Sequence, residues 1–152
     1  MSLRTKQQDK ELGDKNEIEM RLILERLFSC DFHKDSDEYA AIDFYNTSKS
    51  KWVETKRRQI NHDAFSTVMI SAHKVSHCVK KGCEYYFIWK YNDGVWGLRY
   101  NKLLFDTFEK RMYKRHDRAD HVQQPSLHYF IPIKHLQCFV PNEQPLFLLD
   151  EE

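Results

Sequence analysis

The sequence predicts one α/β domain: a mixed central β-sheet flanked by helices, in the order α-β-β-β-α-β, with an added β-hairpin and a late strand. Three observations carry this. Two apolar stripes of helical period bracket a pair of short strands, those strands meet at a polar turn, and an aromatic hairpin follows the second stripe. A chain of 152 residues, 41% hydrophobic with 10 Phe, 8 Tyr and 3 Trp, suffices for one real core.

Residues 1–12 read as a flexible, charged lead-in, and 13–152 as the folded domain. From about Asn16 to Phe28, the side chains of Met20, Ile23, Leu24 and Leu27 recur at helical spacing, and Glu17 shares their inward face. Glu19 and Glu25 lie off that face, beside Arg21 and Arg26. A first strand is expected near Cys30–His33. The second spans 38–45 and the third 51–57, joined by the polar turn Asn46-Thr47-Ser48-Lys49-Ser50. Phe65, Val68, Met69, Ala72, Val75 and Val79 then predict a helix of about 18 residues, opening near Asn61–Asp63 and stopping at Gly82. Glu84–Tyr91, the turn Asn92-Asp93-Gly94 and Val95–Tyr100 read as a hairpin. Residues 103–108 fit a strand or a helical turn equally well. His128–Val140 reads as a late edge strand interrupted by Pro132. A helix crossing between 51–57 and 84–91 makes those strands parallel neighbours.

The chemistry concentrates in the 38–58 segment. Asp43 sits among Ala40, Ala41, Ile42 and Phe44, although an Asp is depleted in strands and rarely buried without a partner. Eleven residues later comes Glu54-Thr55-Lys56. On a strand, Glu54 and Lys56 share a face and Thr55 takes the other. Two carboxylates suit Mg²⁺, a hard cation that takes oxygen ligands, and an adjacent Lys can position or deprotonate the attacking water. That set points to phosphodiester cleavage, although a Glu-x-Lys pair alone is common on solvated strands.

Asp43, the eleven-residue gap and Glu54-Thr55-Lys56 resemble the D…(D/E)xK signature of the PD-(D/E)xK, or restriction-endonuclease-like, nuclease superfamily. The segment Gly13-Asp14-Lys15-Asn16-Glu17 is similar to the Gly-x-x-x-Glu that opens the first helix of Holliday-junction-resolvase-like members. Ile42 replaces the Pro of the pattern. The resemblance covers roughly residues 13–90. It implies a restriction-endonuclease-like core and a DNA endonuclease using Mg²⁺ or Mn²⁺, working in repair, recombination or junction resolution. It further implies that Asp43 and Glu54 bind metal, with the Thr55 carbonyl as an added ligand. Glu17 would bind a second metal or hold its water, and Lys56 would orient the attacking water. Arg58, Arg57, Lys74 and Lys51 are the candidates for contact with duplex or branched DNA. A resolvase would act as a homodimer. The Asp43 and Glu54 carboxylates should converge at one sheet edge, which raises the pKa of at least one of them in the absence of metal, while Lys56 opposes the rise and can leave the net shift small.

Charge agrees with a polyanionic partner. Residues 1–48 carry 7 basic and 11 acidic side chains, residues 49–81 carry 8 and 2, and residues 110–118 carry 5 and 1. Clustered Lys and Arg can neutralise phosphates whatever the net charge. Cysteines at 30, 78, 83 and 138 lack C-x-x-C spacing and read as reduced thiols. Charged and polar first residues and the lack of a long apolar run predict an intracellular chain, cytoplasmic, or in a host cell for a phage or viral protein. With few glycines and no phosphate-cradling loop, an NTP-driven enzyme is disfavoured. His73 and His77 read as surface imidazoles, and His116–His121 as a surface loop. Two other readings stay open. One is a non-catalytic nucleic-acid-binding module of the same fold. The other is a protein-interaction domain using the aromatic 85–100 hairpin, with Tyr85, Tyr86, Phe87, Trp89, Tyr91 and Trp96 as anchors.

Overall fold

The computed structural model describes residues 5–37, 40–114 and 124–141. Its first element, α1 (Lys6–Phe28), starts ten residues before the expected helix, inside the segment read as a lead-in. Thr5 and Gln8 explain this: the Thr5 hydroxyl accepts from the Gln8 N–H while the Gln8 side chain accepts from the Thr5 N–H, a reciprocal cap. Gly13 therefore lies within the helix and does not open it.

Two short strands follow, β1 (Phe32–Lys34) and β2 (Phe44–Asn46), and then β3 (Lys51–Arg57). The expected 38–45 strand shortens to its last part, because residues 40–43 bend instead of extending; residues 38 and 39 lie outside the described residues. Next come β4 (Thr67–Ser71) and the five-residue α2 (Ala72–Ser76), where one long helix was expected. The apolar stripe had two valid periods. Thr67, Val68 and Ile70 are β-branched and stiff, and Val68 and Ile70 alternate into the core, whereas Phe65 and Val79 at the ends of the stripe are exposed.

The hairpin β5 (Glu84–Tyr91) and β6 (Gly94–Arg99) forms as predicted, with Gly94 at φ 134 in the turn. Residues 103–108 resolve into the short α3 (Lys102–Phe105) and its exit. A strand that the sequence did not announce, β7 (Glu109–Tyr113), comes next. The expected late strand is two: β8 (Ser126–Pro132) and β9 (Gln137–Pro141), separated by a 3-10 turn at Ile133–His135. The 116–121 loop lies outside the described residues.

The central sheet is mixed, in the order β1-β2-β3-β5-β6-β9, and a second sheet runs β4-β8-β7. β3 and β5 are parallel neighbours, as the crossover argument requires, and the pairs β1–β2, β2–β3, β5–β6 and β6–β9 are antiparallel. One face of the central sheet packs Phe44, Val53, Ile88 and Val95 against Met20, Ile23 and Leu24 of α1. The other face packs Phe87, Trp89 and Leu98 against Val68, Ile70, Val75, Phe105 and Ile131. The hairpin aromatics Tyr85, Phe87, Trp89 and Tyr91 are thus core side chains. Burial of this kind contributes roughly 1.5–3 kcal/mol per large side chain, which is why they are not presented to a partner.

Candidate active site

The site grows from the place where β2 stops. Phe44 pairs with Val53 and Tyr45 with Trp52; extending that register by one residue sets Asp43 against Glu54. Past Phe44 the edge of β3 has no ladder partner among the described residues, and the Asp43 carboxylate takes its place. The backbone N–H of Thr55 donates to Asp43 Oδ2 at 3.3 Å and the Thr55 hydroxyl at 3.4 Å. Lys34, at the end of β1, brings its Nζ to 3.5 Å from Asp43 Oδ1. Asp43 is therefore partnered and half-buried, which answers how an acid survives in that apolar run.

Glu54 is buried to 4% exposure on the opposite face of β3 from Val53, beside Phe87 of β5. Lys74 of α2 reaches Glu54 Oε2 at 2.9 Å, while the buried Oε1 has no hydrogen-bond partner among the described residues. Burial pushes the Glu54 carboxyl up from 4.5 to about 7, the nearby Asp43 charge adds to this, and Lys74 and then Lys56 oppose it. The upward direction agrees with the expectation from the sequence, but desolvation exceeds the like-charge effect. Cys78 lies close enough to share the environment: burial and the Glu54 charge push its thiol up to about 12, so it is a packing residue and not a nucleophile.

Lys56 is exposed two residues beyond Glu54 and acts on it electrostatically. Arg58 lies near the buried Tyr91 phenol, whose pKa burial raises to about 12 against the opposing Arg58 charge. Arg57 turns to the α1 side instead, pairing with Glu19 Oε2 at 2.8 Å. Lys51 is held by Glu84 at 2.9 Å at the start of β3. Glu17 is half-buried on α1. The structure thus brings together Asp43, Glu54, Thr55, Lys56 and Lys74, while Arg57 and Lys51 pair with carboxylates elsewhere.

Two features escaped the sequence reading. Lys34 was missed because its relation to Asp43 exists only through the β1–β2 pairing. His62 was absorbed into an expected helix start, yet it closes a loop: its Nδ1 lies 2.6 Å from Asp93 Oδ2, and its N–H donates to Asp93 Oδ1 at 2.9 Å. Its ring stacks on Trp96 at 3.9 Å and 5°. With Asp63, these side chains place ligand atoms within 4.8 Å of one another, a set that can hold a cation. His73 and His77 are exposed and meet edge-on at 4.8 Å, as surface imidazoles do.

The Asp43–Glu54 site also suits a divalent cation. A buried carboxylate oxygen without a donor, a second carboxylate opposite it and a hard all-oxygen set are what Mg²⁺ or Mn²⁺ requires. An Asp at a strand end, Glu-x-Lys on the next strand and a parallel crossover strand beyond it define the PD-(D/E)xK nuclease class. Comparison with protein families places the chain within it. Residues 5–138 match the family described as "Phage putative PDDEXK endonuclease", and the chain belongs to that family. No curated protein matches the chain. No helix among the described residues is long and apolar enough to cross a membrane.

Proposed function

We propose that the chain is a metal-dependent endonuclease that hydrolyses DNA phosphodiester bonds, acting in the cytoplasm of a phage-infected host. The observation that carries this reading is the opposition of Asp43 and Glu54 across the open edge of β3, with Lys56 beside them. Asp43 and Glu54 would hold Mg²⁺ or Mn²⁺, with the Thr55 carbonyl as a further oxygen donor. When bound, the cation supplies Lewis-acid stabilisation and a nucleophile at neutral pH. Thr55 fixes Asp43 through two hydrogen bonds, so that carboxylate needs no reorganisation. Lys74 favours the ionised form of Glu54 against burial, so the residue is available as a ligand near neutral pH. Lys56 orients the attacking water and stabilises the charge that builds on the phosphate, and Arg58 binds a neighbouring phosphate oxygen. Glu17 would hold a second cation, or its water, from the α1 side.

The test is cleavage of plasmid or branched DNA with Mg²⁺, with Asp43→Ala and Lys56→Ala as controls. Each substitution should lower the rate by at least about 100-fold. Cleavage that survives both overturns the assignment. Preference for four-way over linear duplex DNA, together with a dimeric mass in solution, would extend the reading to junction resolution; a monomer indifferent to branching would remove that extension.

A further inference from the structure

The second sheet contains a strand that puts no side chain of its own into the core. All side chains of β7 are exposed except the half-buried Tyr113, so its five-residue pairing with β8 buries little apolar surface. Residues 109–114 carry three cations, Lys110, Arg111 and Lys114, against the single anion Glu109. Arg111 is held in place, with its guanidinium 3.8 Å from the Phe130 ring centroid and its Nε 3.0 Å from Glu109. Lys110 Nζ lies 5.3 Å from the Tyr129 ring centroid.

The register shows where this ribbon projects. β4 stops pairing with β8 at Ser71–His128, but β7 continues to Met112–Leu127 and Tyr113–Ser126. Beyond Ser71 the sheet is a two-stranded overhang, beginning where α2 departs carrying Lys74 to Glu54. Alternation sets the facing side. Tyr129 and Ile131 point into the core against Phe87 and Trp89, so Leu127, Met112 and Lys110 share that inward side. This is the face of the central sheet that carries Glu54 and Lys56. At the overhang, Met112 is 63% and Leu127 41% exposed.

We infer that the overhanging end of the β7–β8 ribbon is a DNA-docking arm, which holds a duplex against the Glu54–Lys56 face through its phosphates. Charge complementarity names the occupant, and a two-stranded ribbon fits the major groove of B-DNA. The inference rests on the nuclease reading for the identity of its partner. It assigns Lys110 and Lys114 to phosphates, with Met112 and Leu127 as the apolar contact between them.

The test is binding of a short duplex by the full chain in EDTA, measured across a salt series. Lys110→Glu with Lys114→Glu should weaken binding by about tenfold or more and reduce the slope of log K against log salt by about 2, one per phosphate contact. A charge-matched control, Lys102→Glu with Lys134→Glu, should bind like the wild type. Because β7 buries no side chain, the ribbon variant should melt near the wild-type temperature, and so should the control, whose two lysines are exposed; Lys110→Gln with Lys114→Gln gives the same comparison with less repulsion. Equal binding by the ribbon variant and the wild type overturns the arm, as does equal weakening by the control or no binding by the wild type at any salt. The two readings separate cleanly. A wild type that binds through the ribbon but cleaves nothing with Mg²⁺ overturns the nuclease reading and supports the arm, whereas one that cleaves while the ribbon variant binds normally does the reverse.

Discussion

Glu54→Gln should stabilise the metal-free protein at alkaline pH while removing its response to metal. In the folded state the Glu54 pKa is about 7 against an ordinary 4.5, chiefly because the side chain is buried. A carboxyl with a raised folded pKa binds its proton more tightly when folded. Its stabilising contribution is therefore fully present below pH 4.5 and is lost as pH rises through about 7. A shift of that size corresponds to on the order of 3 kcal/mol as an upper limit. Glutamine keeps the shape and cannot ionise, so the variant should match the wild type near pH 5 and exceed it by up to roughly 3 kcal/mol at pH 8. In a melt, that is roughly 6–12 °C for a domain of this size. The assay is denaturation in EDTA at both pH values, repeated with saturating Mn²⁺. Metal should stabilise the wild type by mass action and leave the variant unchanged, so the order of stability inverts. A variant less stable than the wild type at pH 8 without metal, or one that keeps the metal response, would refute the assignment of Glu54 as a strained buried ligand.

Three further outcomes concern the packing around the site and the first helix. Lys74→Met should destabilise the protein by about 1–3 kcal/mol at pH 8 and by less at pH 5, since it removes the counter-ion of a buried carboxylate only when that carboxylate is charged; urea titration at the two pH values reads this. Gly97→Ala should cost about 1–3 kcal/mol through overpacking, because a Cβ there would meet the Phe87 carbonyl oxygen at 2.5 Å; its denaturation midpoint reads the loss. Thr5→Ala should lower stability by about 1 kcal/mol through the lost helix cap, with a matching fall in protection from hydrogen exchange in the first turn of α1.

Where one pattern admitted one structure, the sequence was legible. Glu54-Thr55-Lys56 declared a strand, and its alternation placed Glu54 and Lys56 on one face. The Asn92-Asp93-Gly94 turn fixed its hairpin, and the crossover rule gave the parallel β3–β5 neighbours. The expectation failed where two periods coincided. Phe65 to Val79 fit a helical stripe, yet a β-branched run inside it preferred extension. It also failed where the deciding contact was distant: Lys34 touches Asp43 only after β1 folds onto β2. Arg57 reads as a phosphate residue until α1 supplies Glu19. Strand β7 had no core pattern to announce it, since its side chains face solvent. Within the site, the proximity of two acids was readable. That burial would outweigh their repulsion in setting the Glu54 proton affinity was not, because burial depends on Phe87 and α2 arriving from elsewhere.

The 3-10 turn at Ile133–His135 gives the molecule a fixed gauge. A single short stretch of chain leaves the small sheet as β8 and enters the central sheet as β9. The two layers are thereby riveted at one end, while the segment from β4 through α2 ties them again beside Glu54. Layers joined at two points by such short connectors, with Phe87 and Trp89 packed against Val68, Ile70 and Ile131 between them, do not swing like a domain hinge. The spacing between the sheets is a built dimension, filled by those core side chains. An insertion of two or three residues after Pro132 should therefore loosen the core between the sheets, and lower the melting temperature, before it disturbs the Asp43–Glu54 pairing.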